Sequence, residues 1–174
     1  MRLLLFLLSI FFFSQSAAEE RDVEYKVKAG YLYNFTKFIT WPENKSKTFD
    51  LCIFGKDPFG PIIDPIEKRT VKNKPIRLYR IQKLQEAKHC HLIYFSSLAS
   101  GQISWPGILT VNSASPALTV GESKQFAETG GMIAFFKREN KVKLYINLKS
   151  LRNSGLEVSA KLLEVAEVYE GGVQ

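Results

Sequence analysis

The stretch from Gly130 to Leu163 constrains the fold more than any other part of the chain. It opens with the apolar run Met132–Phe136, turns through charged residues, and returns as the alternating run Val142–Leu148. A strand that is apolar on both sides must be buried on both faces, whereas an alternating strand keeps one solvated face and suits a position near a sheet edge. We predict a β-hairpin here, followed by a short helix, a turn and a C-terminal helix through Leu163.

Shorter apolar runs precede this hairpin, and helical segments separate them. The predicted strands are Phe49–Phe54, Ile76–Ile81, Leu92–Phe95 and Ala117–Val120. Alternation of strands and helices is typical of α/β proteins, in which helices cover a largely parallel sheet. The chain of 174 residues is long enough for one domain with a full core. We therefore predict an α/β layered sandwich with a mostly parallel central sheet of about five to six strands, plus the C-terminal-half β-hairpin, flanked by helices.

Residues 1–18 have the composition of a signal peptide. Arg2 gives a positive start, Leu3–Phe13 is an almost unbroken apolar run, and Ser14–Ala18 supplies small residues for cleavage. The apolar run is much shorter than the roughly 20 residues that cross a bilayer as a helix. We predict cleavage after Ala18 and a single exported domain over residues 19–174, with a retained membrane anchor as the alternative.

The charge of the chain argues against a nucleic-acid binder. The formal net charge is +7, and loss of residues 1–18 would remove Arg2 alone among the charged side chains. The basic residues are scattered, whereas nucleic-acid binding proteins usually concentrate them beside exposed aromatic side chains. We expect a solvated basic surface, with an acidic partner or a membrane surface as the alternative.

A helix is predicted from Asp22, which can cap it, to about Ile39. Trp41-Pro42 should stop it, because proline disfavours helical geometry in the residue before it. The residues at helical spacing that we expect to face the core are Val23, Val27, Tyr31, Phe35 and Phe38. Lys26, Lys28 and Lys37 are expected to lie off this stripe. Trp41 should fold back onto the core, with a partner-facing indole as the alternative.

The loop Gly55–Gly60 follows the first of the strands. Two glycines after a strand superficially resemble a phosphate-binding loop, but the Lys-Ser or Lys-Thr pair is missing and Pro61 lacks the amide such a loop would use. Loops at the carboxyl ends of strands nevertheless line the usual ligand crevice of an open α/β sheet. A small ligand would be held near Asn34, Asp57 and Phe59.

Cys52 lies in the first of these strands and Cys90 just before the third. In a flavodoxin-like strand order these strands are neighbours, so a disulfide is geometrically allowed, and export would favour it. Two buried free thiols are a competing interpretation, because bridges between adjacent strands are strained. A metal site is the third, and it would need His89 and His91 to join a cysteine, at a spacing that matches no familiar zinc motif.

No catalytic arrangement is visible in the sequence. The chain has no Gly-x-Ser-x-Gly elbow and no Ser-x-x-Lys motif, and its carboxylates stand singly. Two histidines in one strand leave little for a catalytic triad. We therefore expect no enzyme activity and no cofactor or metal.

A series of motifs along the chain resembles the YfiR/HmsC-like family. The resemblance is carried by Ala29–Phe38 with Trp41-Pro42, Leu51–Gly55 with Asp57–Gly60, Cys90–Tyr94, Leu118–Val120, Gly130–Ile133, Ile146–Leu148 and Gly155–Leu163. These blocks follow one another over essentially all of residues 19–174. The ordered series is far more specific than any single block.

The resemblance implies a non-enzymatic regulator in the bacterial periplasm. Such a protein binds and represses the periplasmic sensor domain of an inner-membrane diguanylate cyclase, which lowers cyclic di-GMP and restrains biofilm formation. Redox state matters in the family that the chain resembles, one family disulfide resembles the Cys52–Cys90 pair, and the resemblance allows a homodimer. Candidate contact residues are the aromatic side chains Trp41, Trp105 and Tyr169. A small-molecule sensor, with its ligand near Asn34, Asp57 and Phe59, is the alternative.

Overall fold

The structure, a computed structural model, describes residues 2–97 and 116–171, with side chains from Glu19 onward. The helices are α1 (Arg2–Phe38), α2 (Lys124–Glu128), α3 (Leu148–Asn153) and α4 (Ala160–Leu163). The strands are β1 (Ile39–Thr40), β2 (Phe49–Phe54), β3 (Thr70–Val71), β4 (Lys74–Ile81), β5 (Leu92–Phe95), β6 (Leu118–Gly121), β7 (Ile133–Arg138), β8 (Lys141–Asn147), β9 (Glu157–Val158) and β10 (Ala166–Tyr169). Short 3-10 turns cover Gly60–Ile62, Asp64–Lys68 and Leu84–His89.

The main sheet of the described residues has eight strands, in the order β10-β8-β7-β6-β5-β2-β4-β3. Five successive strands of this sheet run parallel to one another: β4, β2, β5, β6 and β7. Numbered by their position in the chain, these five strands follow the order 2-1-3-4-5 across the sheet, as in flavodoxin-like proteins. The two antiparallel pairs of this sheet are β7 with β8 and β3 with β4, and β10 runs parallel to β8. The predicted α/β architecture is confirmed.

The predicted hairpin is also confirmed, as β7 and β8. Its turn residues Glu139 and Asn140 both have positive φ angles, 51° and 56°. Two successive residues of this kind give the turn the twist that matches two right-handed strands. The alternation predicted for the second strand is present, because Leu144 and Ile146 are buried while Lys143 is exposed. Strand β8 is the second strand from the sheet edge, which agrees with the position near an edge predicted from its single solvated face.

Each face of the sheet is covered by its own apolar layer. The larger layer packs α1 and the C-terminal segment against residues such as Leu51, Ile53 and Phe135. The smaller layer lies on the opposite face and contains Cys52 and Phe54. Alternate residues of β2 therefore enter different layers, which explains why all six of its residues are buried.

The buried side of α1 differs from the predicted stripe. Val23 and Val27 are 55% and 41% exposed, whereas Tyr25, Lys28 and Leu32 are buried. The prediction counted apolar residues alone and left Lys28 outside the stripe, but ion pairing allows this lysine to be buried. Helix α1 begins at Arg2, so a start at Asp22 was wrong, and it ends at Phe38.

Cleavage after Ala18 stays a prediction. Within the residues that the structure describes, no helix is both long and apolar enough to cross a membrane.

The predicted C-terminal helix ends at Leu163 as expected, but it is only the single turn Ala160–Leu163. After α3 the chain forms β9, which pairs with β1, then the single-turn helix α4, and finally β10 on the edge of β8. Ser159 does cap α4, since its hydroxyl accepts a hydrogen bond from the backbone N–H of Leu162. The helix ends at once because the following residues complete the backbone hydrogen bonding of β8, a partner far away in sequence.

Candidate functional site

Buried polar side chains meet at the carboxyl ends of β5 and β6. Glu122 directly follows β6, and its carboxylate accepts hydrogen bonds from Lys28 Nζ at 2.6 Å and from the backbone N–H of Ser97 at 2.8 Å. The hydroxyl groups of Tyr94 and Tyr25 also donate to this carboxylate. Four donors from α1 and from the end of β5 thus converge on one acidic group.

Each carboxylate of this network lies beside a cation. Lys28 is only 5% exposed and pairs with Glu24 as well as Glu122, both at 2.6 Å. Burial by itself would raise the pKa of Glu122, but Lys28 and the other donors outweigh it and hold the pKa below its usual value. Burial and then the charge of Glu122 raise the pKa of Tyr25 to about 12 and also raise that of Tyr94. The network is a satisfied ion pair with protonated tyrosines, and it presents no activated base or nucleophile.

At the predicted crevice, the loop places one of its own side chains in the core. Phe59 is 2% exposed and packs its ring against Tyr25 and Tyr94, at centroid distances of 5.2 Å and 4.8 Å. Asp57 fixes the loop, because its carboxylate accepts from the Phe59 N–H and from Arg80 Nε, both at 2.7 Å. Asn34 is exposed on α1 and is not hydrogen-bonded to either residue. The structure thus brings Asp57 and Phe59 together as loop and core residues, apart from Asn34.

An open cavity of about 280 Å³ lies at the opposite ends of the strands, where β2 and β5 begin. It is lined by Thr36, Ile39, Trp41, Pro42, Glu43, Asn44, Phe49, Val71, Lys72, Lys74 and His91. Trp41 folds back onto the core as predicted, with its ring edge-on to Phe49 at 5.0 Å and its Nε1 donating to the His91 carbonyl at 2.8 Å.

His91 is held neutral in the wall of this cavity. Its Nδ1 accepts a hydrogen bond from the backbone N–H of Asp50 at 3.0 Å, and its Nε2 lies 3.0 Å from the side-chain amide of Asn44. Burial lowers the pKa of His91, the charge of Asp50 opposes this shift, and Lys74 adds to it. A proton on Nδ1 would also displace the Asp50 N–H, which is buried.

Three aromatic rings form a row on the outer face of the hairpin and β10, which we call the aromatic row: Phe136, Tyr145 and Tyr169. Tyr145 stacks on Tyr169 at 5.9 Å and meets Phe136 edge-on at 6.3 Å. All three are half-buried. Lys124 lies over the rings of Phe136 and Tyr145 and pairs with Glu167. The row is therefore a partly exposed aromatic surface bordered by paired charges.

Cys52 and Cys90 form a disulfide, with their Cα atoms 6.0 Å apart. The bridge avoids the strain expected between facing strand residues, because Cys90 lies before β5 and the residue opposite Cys52 is Ile93. The free-thiol interpretation is therefore wrong. Both cysteines are buried, at 0% and 1% exposure.

The metal site that would combine both histidines with a cysteine is not formed. His91 contacts Asp50 and Asn44 at the cavity, whereas His89 is exposed and packs its ring edge-on against Tyr79 at 4.8 Å. The alternation of a strand was assumed for both residues, but His89 belongs to the 3-10 turn that ends just before Cys90.

Sequence reasoning missed the network around Glu122. The available signal was a lysine at a core-facing position of the helix, four residues after Glu24, together with an acidic residue directly after a buried strand. The partnership of Lys28 with Glu122 spans 94 residues and follows no local pattern. Trp105, one of the predicted contact residues, lies outside the described residues.

The family model of YfiR/HmsC-like proteins matches residues 25–167. The chain belongs to the YfiR/HmsC-like family. The match includes the strands β1–β9, the first half of β10, and the part of α1 that packs on the sheet. Members of the YfiR/HmsC-like family are periplasmic regulators of diguanylate cyclases and not enzymes.

Solved structures support the fold alone. A conserved domain protein from Vibrio cholerae matches with a TM-score of 0.52 and 12% identity over 68% of this chain and 54% of that one. An ABC domain in complex with L-Trp from Streptococcus pneumonia matches with a TM-score of 0.53 and 12% identity over 79% and 59%. The YfiR/HmsC-like chain thus spans little more than half the length of these two proteins. No curated protein matches it.

Proposed function

We propose that this protein binds the periplasmic sensor domain of an inner-membrane diguanylate cyclase and represses the enzyme, which lowers cyclic di-GMP and restrains biofilm formation. The family match over residues 25–167 is the observation that carries this proposal. The Cys52–Cys90 bridge supports it, because disulfides form and persist in oxidising compartments such as the periplasm. Repression requires that the protein bind the inactive state of the cyclase more tightly than the active state.

We further propose the aromatic row as the contact surface. Aromatic and arginine side chains supply most of the energy at protein interfaces, and rigid rings lose little conformational freedom on binding. Tyr169 is stacked on Tyr145, and Arg138 lies 5.4 Å from the centre of the Phe136 ring. Lys124 and Arg138 beside the rings are both paired with Glu167, so this surface suits a partner surface that is mainly apolar.

The test is a cyclase assay with an inner-membrane diguanylate cyclase of the same bacterium that carries a periplasmic sensor domain. The purified chain, without residues 1–18, is added to the detergent-solubilised cyclase, and the formation of cyclic di-GMP from GTP is followed. We expect product formation to fall as the protein is added. A cyclase that binds the protein but keeps its full rate would contradict repression, and the absence of any binding would contradict the whole proposal.

The contact surface is tested separately with the variants Tyr169→Ala and Tyr145→Ala. Each is expected to weaken repression at least tenfold, which is the loss typical of truncating one strong interface residue. Tyr79→Ala is the matched control, because Tyr79 is an exposed tyrosine on β4, at the other side of the sheet. Equal losses in all three variants would rule out the aromatic row while leaving repression itself intact.

A small-molecule sensor is the second candidate, and the cavity beside Trp41 favours it. Its volume of about 280 Å³ approaches the lower end of ligand pockets, and it combines aromatic walls with Lys72, Lys74 and the amide of Asn44. A compact aromatic molecule with a negative group would fit these walls. Trp41 contributes to the wall, so binding should change its fluorescence. The chain has two tryptophans, so a Trp105→Phe variant isolates this signal.

Titration of the Trp105→Phe variant with aromatic carboxylates checks this second candidate. Saturable quenching that is lost in Lys74→Ala would support it, and Lys83→Ala, an exposed lysine away from the cavity, is the control. Fluorescence that stays constant over the whole series would exclude the cavity as a site for such ligands.

A further inference from the structure

Three side chains that can bind a soft metal ion meet on the smaller apolar layer. The sulfur atoms of Cys52 and Cys90 and the imidazole of His89 all lie within 4.8 Å of one another. In the oxidised protein the sulfurs are bonded together and cannot bind a metal. The same chain is first made in the reducing cytosol, where it carries two thiols.

We propose that the reduced protein binds a zinc ion through the thiolates of Cys52 and Cys90 and the imidazole of His89. The fourth position of the ion is left to water. This inference does not depend on the cyclase role, because it concerns the dithiol form of the domain alone.

Local structure brings the three ligands together from two directions. Cys52 lies in the middle of β2, where its register partner on β4 is Tyr79. His89 is the last residue of the 3-10 turn that leads from β4 to β5, and Cys90 follows it. The ring of His89 packs edge-on against the ring of Tyr79. Tyr79 thus holds the imidazole next to the sulfur of Cys52. Among the described residues, no hydrogen bond occupies the nitrogens of His89.

The spacing fits zinc once the bridge is broken. Zinc lies about 2.3 Å from sulfur and about 2.0 Å from nitrogen, so a tetrahedral site separates its ligand atoms by about 3.5–3.8 Å. Two thiols released from a disulfide move apart to about this van der Waals separation. His89 is exposed and needs to approach by only about 1 Å, which a rotation of its side chain supplies.

The chemistry balances in two steps. A phosphine reductant gives two electrons to the Cys52–Cys90 bridge and takes the oxygen of one water molecule to become a phosphine oxide, and the two protons of that water go to the sulfurs. Zn²⁺ then replaces the two thiol protons, which are released to solvent. Zinc and the bridge compete for the same sulfurs, so we expect bound zinc to delay oxidation of the exported chain.

The experiment uses the reduced full-length domain, residues 19–174, prepared with a phosphine reductant under anaerobic conditions, and the metals alone as probes. We expect one Co²⁺ per chain with the thiolate-to-metal absorption of a tetrahedral site, displaced by Zn²⁺, and no binding by the oxidised protein. His89→Ala should weaken zinc affinity at least tenfold. Lys88→Ala, an exposed neighbour in the same turn, should not. Zinc should also slow disulfide formation in wild type more than in His89→Ala.

Two results would overturn the proposal. One is cobalt binding by the reduced protein that is no greater than that of the oxidised protein. The other is zinc affinity in His89→Ala equal to that of wild type, which would mean that the cysteines act without the histidine. If the reduced chain unfolds without metal, near-UV circular dichroism is the deciding measurement. Zinc should restore the native signal in wild type but not in His89→Ala. A wild-type signal that does not recover with zinc would reject the site.

Discussion

Lys28 is the residue whose environment most needs explanation. A lysine with 5% exposure would normally be neutral or absent, because burying a charge without a partner is costly. Here Glu24 and Glu122 each lie 2.6 Å from its Nζ, and the ring of Tyr25 lies 4.5 Å away. These contacts tie α1 to the end of β6. They also make each partner dependent on the other, because loss of one leaves a charge buried without compensation.

Glu122→Gln should therefore destabilise the protein. We expect the free energy of unfolding to fall by about 2–4 kcal/mol, somewhat less than for a buried pair left with no other partner, because Glu24 remains beside Lys28. Urea unfolding followed by circular dichroism measures this. Glu139→Gln, at an exposed position in the hairpin turn, is the control and should change stability little. Equal stability of Glu122→Gln and wild type would show that the ion pair contributes nothing.

The same substitution should flatten the loss of stability in acid. The pKa of Glu122 in the folded protein is below its ordinary value of 4.5, so between these values the unfolded chain binds the extra proton. The contribution of this carboxylate is complete above 4.5 and is lost as the pH falls through the lowered pKa. The measurement is urea unfolding at a series of pH values below about 5, where carboxylates begin to be protonated. As the pH falls, the free energy of unfolding should decrease less steeply in Glu122→Gln than in wild type.

His91 should produce a second step at higher pH. Its folded pKa is below the ordinary value of 6.5 because the ring is buried, so the unfolded chain takes up the proton first. The free energy of unfolding should fall as the pH decreases below 6.5, and His91→Gln should remove this step. The control is His89→Gln, which replaces the only other histidine and should keep the step. A step that survives in His91→Gln would mean that another group causes it.

At the scale of elements, close packing of α2 on the sheet depends on two glycines. Gly121 at the end of β6 and Gly131 just before β7 both lie against the ring of Phe126. A Cβ atom at either position would overlap this ring, which is 5% exposed and cannot move away without disturbing the smaller apolar layer. The glycines here provide space for a neighbouring side chain, and neither has a positive φ angle.

Gly131→Ala should therefore destabilise the protein, whereas Gly30→Ala should stabilise it. Overpacking of this kind typically costs about 1–3 kcal/mol. Gly30 is exposed on α1 with nothing within 4 Å of an added Cβ, so alanine should contribute about 0.5–1 kcal/mol through its higher helix propensity. Thermal and urea unfolding of the two variants compares them directly. The double variant Gly131→Ala, Phe126→Leu should recover part of the loss, and its failure to do so would argue against overlap with Phe126 as the cause.

The edge strand β10 shows how a short segment is held in place by charge. Glu167 in its centre pairs with Lys124 of α2 and with Arg138 at the end of β7, at 2.5 Å and 2.6 Å. Charged side chains on an edge strand also oppose pairing with other chains. The sequence Ala166–Tyr169 has no strong strand pattern by itself, and its conformation follows from the vacant edge of β8.

At the scale of the whole molecule, the bridge joins residues 38 positions apart in the chain. It connects the central strand β2 to the turn that precedes β5, and both sulfurs lie inside the smaller apolar layer. This burial shields the bridge from attack by thiols in solution. The bridge is therefore a stabilising link in the folded domain, and reduction of the native protein should be slow.

Removal of the bridge should lower the stability of the entire domain. Cys52→Ala combined with Cys90→Ala is expected to reduce the free energy of unfolding by about 4 kcal/mol, mainly because the unfolded chain becomes freer. The measurement is urea unfolding in the presence of a metal chelator, with wild type reduced in urea and refolded as the comparison. Both bridge-free forms should lose similar stability. An unchanged midpoint in the alanine variant would mean that the link constrains little.

The sequence by itself determined the order and type of most elements. Runs such as Phe49–Phe54 and Leu92–Phe95 are apolar enough to be strands wherever they lie, and the structure places β2 and β5 at these same residues. The hairpin likewise follows from local pattern, since alternation and a charged turn operate over neighbouring residues. The ordered motifs that resemble the YfiR/HmsC-like family are also a property of the linear chain, and the match over residues 25–167 confirms that inference.

Only the tertiary structure decided the features that depend on distant partners. Lys28 is buried because Glu122 lies beside it, and β10 is a strand because β8 offers an edge. Phe59 is a core residue because Tyr25 and Tyr94 pack against it. The sequence alone also left open the choice between a disulfide and two free thiols. The position of Cys90 just before β5 decided it in favour of the disulfide. Local propensity differs between alternatives by about 1 kcal/mol or less per residue, whereas burying or pairing a side chain contributes several times more. Contacts between residues far apart in sequence therefore decided these positions.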